Sequence, residues 1–247
     1  MYKTKPVLLL FVLLLGMTIA FTGCKPKDIV STSQEIDIGK QASQDVERQY
    51  PVNRNPQLNA TINQIGQALA QCSDRRDITY TFKILDVKDV NAFSLPGGWI
   101  YINKGLIDAT QGKPDQLAGV IAHEIGHVAA RHHAEMMGRE VYANVLIGTL
   151  TQGQTQQLAS VFANLSLLRW SRKQEYDSDR LGIKYMYRCR QYDAQGLVNF
   201  FNTLLKIQPD RPSGFEQIFR THPVTSERIK RAQTYLDDLR AGRASAQ

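Results

Sequence analysis

Two histidines four residues apart, with a glutamate directly after the first, constrain this chain more than any other feature. His123, Glu124 and His127 lie in a segment that opens with Pro114 and Asp115 and continues with apolar residues at helical spacing. Proline suits the first turn of a helix, and an acid complements the positive end of its dipole. Because residues four apart share one helix face, both imidazoles can bind the same metal ion.

The glutamate of this motif is placed for proton transfer and not for ligation. Glu124 lies about 100° around the helix from His123, so it reaches a metal-bound water but turns away from the metal. Zinc hydrolases use this arrangement with the glutamate as general base. The neighbours Val120, Ile121 and Ile125 are apolar, which argues against an exposed polar face. Two buried histidines and a buried carboxylate need partners, and a metal ion satisfies all three.

A catalytic zinc ion needs a third protein ligand and leaves one position open for water. His133 stands six residues after His127, the spacing used when a glycine turns the chain back toward the metal. Ala130 occupies the position of that glycine, so we expect the helix to continue. On a continuing helix His132 and His133 point away from the ligand face. We therefore interpret both as surface residues and keep His133 as a minor candidate.

Two acids four apart on a later helix supply the better candidate. Glu175 and Asp179 share one face of the helix predicted there. We assign Glu175 as the third zinc ligand and Asp179 as the residue that orients a ligand histidine through its free ring nitrogen. Taken alone, either acid also fits a solvated helix start stabilised by the dipole.

The first residues predict export. Lys3 and Lys5 precede an apolar run at 7–21, which is typical of a secretory signal, and the run is short for a membrane span. Residues 21–24, Phe-Thr-Gly-Cys, resemble the cleavage box of bacterial lipoproteins, in which the cysteine receives lipid.

This resemblance divides the chain into three parts. Residues 1–23 are the expected lipoprotein signal peptide, Cys24 the lipidation site, 24–33 a polar tether and 34–247 a single peptidase domain. Lys25 stands where an inner-membrane retention signal would place aspartate. We therefore expect lipid chains to anchor the protein, without a membrane span, at the outer membrane facing the periplasm.

Charge gives no reason to expect a nucleic-acid partner. Removal of Lys3 and Lys5 lowers the formal net charge from +7 to +5 (7 − 2), and the excess is spread along the chain with some concentration at 169–190. A solvated basic surface near anionic lipid headgroups is the simpler interpretation for an exported protein.

The cysteine count predicts one disulfide. If Cys24 carries lipid, Cys72 and Cys189 remain as a pair in an oxidising compartment. The alternative is two buried free thiols.

Hydrophobic periodicity predicts an α+β fold that is mostly helical, with a small sheet. Between 139 and 168 a Thr/Gln/Gly-rich patch at 149–155 interrupts the helical pattern, and the pattern does not distinguish a lid from a connector. The predicted helices cover 35–49, 57–71, a long segment from 114, 139–168, 175–187, 196–205 and 224–239, with strands at 78–84 and 99–102.

Four segments together resemble a known family. They are Asn-Ala-Phe-Ser-Leu-Pro-Gly-Gly-Trp-Ile-Tyr-Ile at 91–102, His-Glu-Ile-Gly-His at 123–127, Glu-Tyr-Asp-Ser-Asp at 175–179, and Thr-His-Pro at 221–223 followed by Glu227 and Arg228. The pattern resembles gluzincin zinc metallopeptidases of the HtpX and CAAX-prenyl-protease type, and in particular their soluble, lipid-anchored periplasmic members. The resemblance spans about residues 34–239 and implies a zincin-type fold with the His-Glu-x-x-His helix in its active site.

The resemblance also implies where substrate binds. In relatives, the segment that corresponds to Gly98, Trp99, Ile100 and Tyr101 is an edge strand beside the zinc ion. An extended peptide can join such a strand through main-chain hydrogen bonds with little side-chain selectivity. The alternative is that these residues form an ordinary inner strand.

Two further residues receive roles from the resemblance. His222 either stabilises the tetrahedral intermediate or occupies the fourth zinc position and keeps the enzyme latent. Arg228 polarises the carbonyl or binds the developing oxyanion. The alternative for His222 is a residue at a helix start with no catalytic part.

These observations predict a zinc endopeptidase with one Zn²⁺ per chain, Glu124 as general base and a zinc-bound water as nucleophile. The implied substrates are unfolded or stalled outer-membrane proteins, and the implied partners are the membrane, through the lipid anchor, and outer-membrane assembly machinery or other lipoproteins. A chaperone or scaffold with restrained peptidase activity is the alternative. A structural-zinc lipoprotein fits less well, since structural sites close with four protein ligands.

Overall fold

Two amphipathic helices precede the sheet. In the computed structural model, which describes residues 25–147, 162, 164, 169–207 and 212–246, helix α1 is Thr32–Gln49 and α2 is Pro56–Gln71. The side chains of Ser31 and Asn55 cap their first turns by accepting backbone hydrogen bonds. Both predicted helices are confirmed, and each begins slightly earlier than expected.

Three predictions fall outside the described residues. These are the signal peptide at 1–23, lipidation at Cys24, and the choice between lid and connector for 149–155. Within the segment predicted as a tether, Pro26–Asp28 form a 3-10 turn and Val30 is buried.

The sheet has three strands, β1 (Thr81–Leu85), β2 (Ala92–Ser94) and β3 (Trp99–Asn103), in the order β1-β3-β2. β3 pairs in parallel with β1 and antiparallel with β2. The expectation that Gly98 and β3 form an edge strand is therefore wrong, and the inner-strand alternative is correct. The two edge strands are β1 and β2, one on each side of β3.

A tight turn reverses the chain between β2 and β3. Gly97 and Gly98 both have positive φ, 73° and 106°, a conformation that glycine adopts without steric cost. A Cβ atom on Gly97 would lie 2.7 Å from the Cα of Ile36 on α1. The two glycines thus allow the turn to pack directly against the first helix.

The remaining helices surround the sheet, and the predicted α+β class, mostly helical, is confirmed. Residues 117–128 of α4 are all buried, because α4 packs against α6 and α7. These helices are α3 (Lys104–Ala109), α4 (Pro114–Ala129), α5 (His132–Ile147), α6 (Arg172–Cys189), α7 (Gln195–Ile207), α8 (Glu216–Thr221) and α9 (Ser226–Arg240).

Alternate residues of β3 pack into different cores. Ile100 and Ile102 lie in the larger apolar core with α2, α4, α6 and α7, whereas Tyr101 lies in the smaller core under α1. Successive residues of a strand point to opposite faces of the sheet, so β3 is covered by one core on each face.

Helices α4 and α6 approach closely at two glycines. A Cβ atom on Gly126 would lie 2.8 Å from the carbonyl oxygen of Ser178, and one on Gly182 would lie 3.0 Å from the backbone nitrogen of His123. The Ser178 hydroxyl donates to the His123 carbonyl oxygen (2.9 Å). The small residues therefore set the distance between the two helices.

The helix that carries the motif does not continue past Ala130, which corrects the sequence-based expectation. α4 ends at Ala129, and Arg131 adopts a left-handed conformation with φ of 60°. The Arg131 guanidinium donates to Glu35 (2.9 Å) and to the carbonyl of Val30. These long-range contacts hold a turn for which the local sequence carries no glycine.

A disulfide joins Cys72 and Cys189, with an S–S distance of 2.11 Å, in agreement with the prediction. It connects the C-terminal ends of α2 and α6 across a sequence separation of 117 residues. Among the described residues, no helix combines the length and apolar character needed to cross a bilayer.

Candidate metal centre

Four side chains from three parts of the chain converge on one buried point. α4 contributes His123 and His127, α6 contributes Glu175, and the residue after α8 contributes His222. One donor atom from each lies within 4.8 Å of all the others. His123 Nε2 is 3.1 Å from His127 Nε2 and 3.3 Å from His222 Nδ1, and His222 Nδ1 is 3.0 Å from a Glu175 oxygen.

The donor set fits a divalent metal ion. Facing ring nitrogens satisfy one another only where one carries a proton, and a neutral imidazole has a single N–H. Here three imidazole nitrogens and a carboxylate oxygen, all buried, face the same point. A cation accepts all four lone pairs at once, and imidazole plus carboxylate is a donor set that zinc binds.

Glu124 lies beside this cluster and is 1% exposed. The Ser94 hydroxyl donates to one carboxylate oxygen (2.9 Å), and His222 Nε2 lies 3.5 Å from the other. Burial raises the pKa of Glu124, and the charges of His222 and His123 oppose that rise only in part. A raised pKa suits a carboxylate that accepts and returns a proton.

Asp179 lies behind the first histidine. Its Oδ1 is 2.9 Å from His123 Nδ1, the ring nitrogen that faces away from the cluster. A carboxylate at this place orients the ring and leaves Nε2 free to face the donors.

Arg228 contacts both acids of α6, Glu175 and Asp179. Its guanidinium donates to both oxygens of Asp179 (2.8 and 2.6 Å), forms an ion pair with Glu175, and lies over the ring of Phe201. Burial by itself disfavours the Glu175 carboxylate, but the positive charges of Arg228 and His222 outweigh it and hold the pKa of Glu175 well below its usual range. These contacts let Arg228 stabilise the two carboxylates, and the binding of an oxyanion by Arg228 stays a prediction.

His132 and His133 are buried, so the expectation that they lie at the surface is wrong. They are 3% and 1% exposed, because the turn at Arg131 directs α5 back along the site. Neither belongs to the donor cluster. His132 Nδ1 lies 2.9 Å from His127 Nδ1, and His133 Nε2 lies 2.9 Å from the Ser94 carbonyl oxygen. Burial lowers the pKa of His132 to about 4 and that of His133 to about 3, so both rings are neutral at pH 7.

The residues predicted to bind substrate are spread over several environments. Ile100 and Tyr101 are fully buried, and the Tyr101 hydroxyl donates to Glu47 of α1 (2.8 Å). The sheet instead contacts the site through Ser94 of β2. Sequence reasoning missed Ser94 although it lies in the segment 91–102, because a three-residue strand is too short to give a pattern.

Comparison with known proteins agrees with this geometry. The profile of peptidase family M48 matches residues 56–236. The chain is 25% identical over 236 residues to the beta-barrel assembly-enhancing protease of Escherichia coli (strain K12), which covers 90% of this chain and 48% of that protein. It therefore spans about half the length of that relative.

Two other relatives are similar over most of this chain. Metalloprotease LoiP of Escherichia coli (strain K12) is 27% identical over 246 residues, covering 88% of this chain and 93% of LoiP. Mitochondrial metalloendopeptidase OMA1 of Schizosaccharomyces pombe is 25% identical over 225 residues, covering 88% of this chain and 65% of OMA1.

The fold and the site are those of a zincin-like metal hydrolase: a His-Glu-x-x-His helix packed against a small sheet, with a buried acid from a second helix. The chain belongs to peptidase family M48, since the family profile covers most of it.

Proposed function

We propose that this chain is a zinc-dependent endopeptidase of the bacterial envelope that cleaves unfolded or misassembled outer-membrane proteins. The observation that carries the proposal is the convergence of His123, His127, Glu175 and His222 beside the buried Glu124. His123, His127 and Glu175 are the permanent ligands in this proposal.

The chain's own groups account for the proton transfers. Bound zinc supplies a Lewis acid that lowers the pKa of water and polarises a peptide carbonyl. Glu124 accepts the proton of the attacking water and returns it to the leaving nitrogen. The Ser94 hydroxyl holds one Glu124 oxygen, so the other is directed toward the cluster. Arg228 and Asp179 keep Glu175 ionised and His123 oriented.

A small apolar cavity of about 20 Å³ lies next to Glu124 and His222. Its volume suits about one water molecule and not a substrate side chain, so the choice of extended, unfolded substrates rests on the resemblance. The apolar residues that line the cavity are Ala92, Val120, Leu197, Phe200, Phe201, Leu204, Ile218 and Val224. The choice of outer-membrane proteins rests on the name of the beta-barrel assembly-enhancing protease, a relative about twice as long.

The proposed location is the outer membrane, facing the periplasm. It rests on the lipoprotein-like sequence around Cys24, with removal of 1–23, and on the similarity to lipid-anchored members of the HtpX and CAAX-prenyl-protease type. The Cys72–Cys189 disulfide suits an oxidising compartment.

Glu124→Gln tests the chemistry. Glutamine keeps the shape of the side chain but cannot accept a proton, so we expect full zinc content and a fall in cleavage of an unfolded protein by about 10²-fold or more. The measurements are metal analysis and cleavage of a denatured protein, with and without chelator. Glu227→Gln, at an exposed glutamate of α9, is the matched control and should cleave as wild type does. Normal cleavage by Glu124→Gln contradicts the proposal.

A second function, a chaperone or scaffold with restrained peptidase activity, is favoured by the position of His222. Its Nδ1 belongs to the donor cluster and its Nε2 faces Glu124, so the ring occupies the place where water and substrate must enter. If His222 is a fourth ligand that keeps the enzyme latent, His222→Ala raises peptidase activity. If the variant loses activity, His222 takes part in catalysis. If the activity is unchanged, His222 has neither role. If Glu124→Gln restores every cellular function, scaffolding is the main role.

A further inference from the structure

Two adjacent histidines lie behind the metal centre and are used by none of the steps above. His132 and His133 begin α5 and are 3% and 1% exposed. Consecutive helical residues point about 100° apart. The two rings therefore reach different groups, one on α4 and one on β2.

His132 contacts a metal ligand. Its Nδ1 lies 2.9 Å from Nδ1 of His127, whose Nε2 faces the cluster 3.3 Å from Glu175. For His127 to bind a metal through Nε2, that nitrogen must carry a lone pair, so the ring proton lies on Nδ1. His127 then donates to His132, which accepts at Nδ1. This hydrogen bond selects the tautomer in which His127 is a ligand.

His133 reaches the proposed general base through one serine. The Ser94 carbonyl oxygen can only accept, so His133 donates its Nε2–H (2.9 Å). The Ser94 hydroxyl in turn donates to Glu124 (2.9 Å). The position of Ser94 thus depends on His133, and the orientation of Glu124 depends on Ser94.

The surrounding structure fixes both rings. Trp170 lies tilted against His132 with ring centroids 6.1 Å apart and edge-on to His133 at 4.9 Å. Arg131, immediately before the pair, is anchored to the buried Glu35. The pair therefore cannot turn toward solvent without breaking these contacts.

We propose that His132 and His133 are positioning residues with separate tasks: His132 orients His127 for metal binding, and His133 orients Glu124 through Ser94. The proposal rests on the proposed function of the site. It predicts that changes at the two neighbouring positions alter different measured quantities.

Amide side chains provide matched variants. An asparagine amide reaches about as far as ring Nδ1, and a glutamine amide about as far as Nε2. His132→Asn keeps an acceptor for His127, whereas His132→Gln moves it. His133→Gln keeps a donor for the Ser94 carbonyl, whereas the shorter side chain of His133→Asn does not reach that carbonyl. At each position, one variant thus keeps the hydrogen-bonding group in place, and the other carries the same amide group at a different distance from the backbone.

The experiment measures zinc dissociation constants, by competition with a chromophoric chelator, and kcat and KM for a denatured protein. We expect His132→Gln to weaken zinc binding by about 10- to 100-fold and His132→Asn to stay within about threefold of wild type. We expect His133→Asn to lower kcat by about tenfold, with KM and zinc affinity unchanged, and His133→Gln to restore kcat. Ser94→Ala should match His133→Asn, and the two losses should not add.

Equal effects of the Asn and Gln variants at either position overturn the proposal, as does loss of zinc affinity in His133→Asn. If none of the variants folds by circular dichroism, the pair is structural only and the proposal is wrong. Wild-type protein that binds no zinc overturns the proposed function, and the inference with it. If zinc binding is unchanged in His132→Gln, the inference is wrong but the proposed function is not affected.

Discussion

At the residue scale, the charges behind the metal centre depend on Arg228. Glu175 and Asp179 are each 2% exposed, and the Arg228 guanidinium contacts both. Two carboxylates this close and this deeply buried are stable only with a positive charge between them. We therefore expect the stability of the metal-free protein to depend on Arg228.

Arg228→Met tests this dependence. Methionine fills much of the volume but leaves Glu175 and Asp179 without their cation, so we expect the free energy of unfolding to fall by about 3–5 kcal/mol. Chemical denaturation of metal-free protein measures the loss.

The control lies on the same helix. Arg231 pairs with Glu227 at the surface, where solvent screens the ion pair. Arg231→Met should leave the denaturation midpoint unchanged. If Arg228→Met and Arg231→Met lose equal free energy of unfolding, burial of the ion pair does not explain the destabilisation by Arg228→Met.

At the element scale, the turn between α4 and α5 decides which side chains reach the back of the site. Arg131 has φ of 60°, a conformation that costs a residue with a Cβ atom about 1–2 kcal/mol. Its hydrogen bonds to Glu35 and Val30 offset that cost. The turn is therefore held by contacts with residues about a hundred positions earlier.

Arg131→Gly and Arg131→Ala separate backbone strain from the ion pair. Both remove the guanidinium, but only alanine retains the steric cost of positive φ. We expect the glycine variant to be more stable than the alanine variant by about 1 kcal/mol, measured by chemical denaturation. If the alanine variant is as stable as the glycine variant, the backbone at position 131 is not strained.

At the scale of the whole molecule, the disulfide connects the first half of the chain to the helix that carries Glu175. Cys72 directly follows α2 and Cys189 is the last residue of α6, 117 residues apart. Cross-linking over so long a loop restricts the unfolded chain strongly, by about 4–5 kcal/mol in the chain-entropy model.

Reduction should therefore destabilise the protein markedly. We expect the melting temperature to fall on addition of reductant, while a Cys72→Ser/Cys189→Ser double variant melts at the lower temperature with or without reductant. A non-reducing gel should show a mobility change for wild type only. No difference in melting between reduced and oxidised protein would show that the bond adds no stability.

Local sequence determined the elements that depend on near neighbours. The spacing of His123 and His127, and of Glu175 and Asp179, follows from one helical turn, so both pairs share a helix face as expected. Long amphipathic helices were predicted for the same reason. That the two pairs meet at one point was predicted because a catalytic zinc ion needs a third protein ligand, and the resemblance agreed. No local pattern relates α4 to α6.

Tertiary structure decided the rest. β3 is an inner strand because β1 and β2 pair with its two sides, and a three-residue partner such as β2 leaves no period in the sequence. The end of α4 depends on Glu35, so Ala130 was misinterpreted as a sign that the helix continues. The sequence by itself thus determined the metal-binding helix and its chemistry. The chain reversals that bring Ser94, His132 and His133 behind that helix depend on long-range contacts, which only the folded molecule contains.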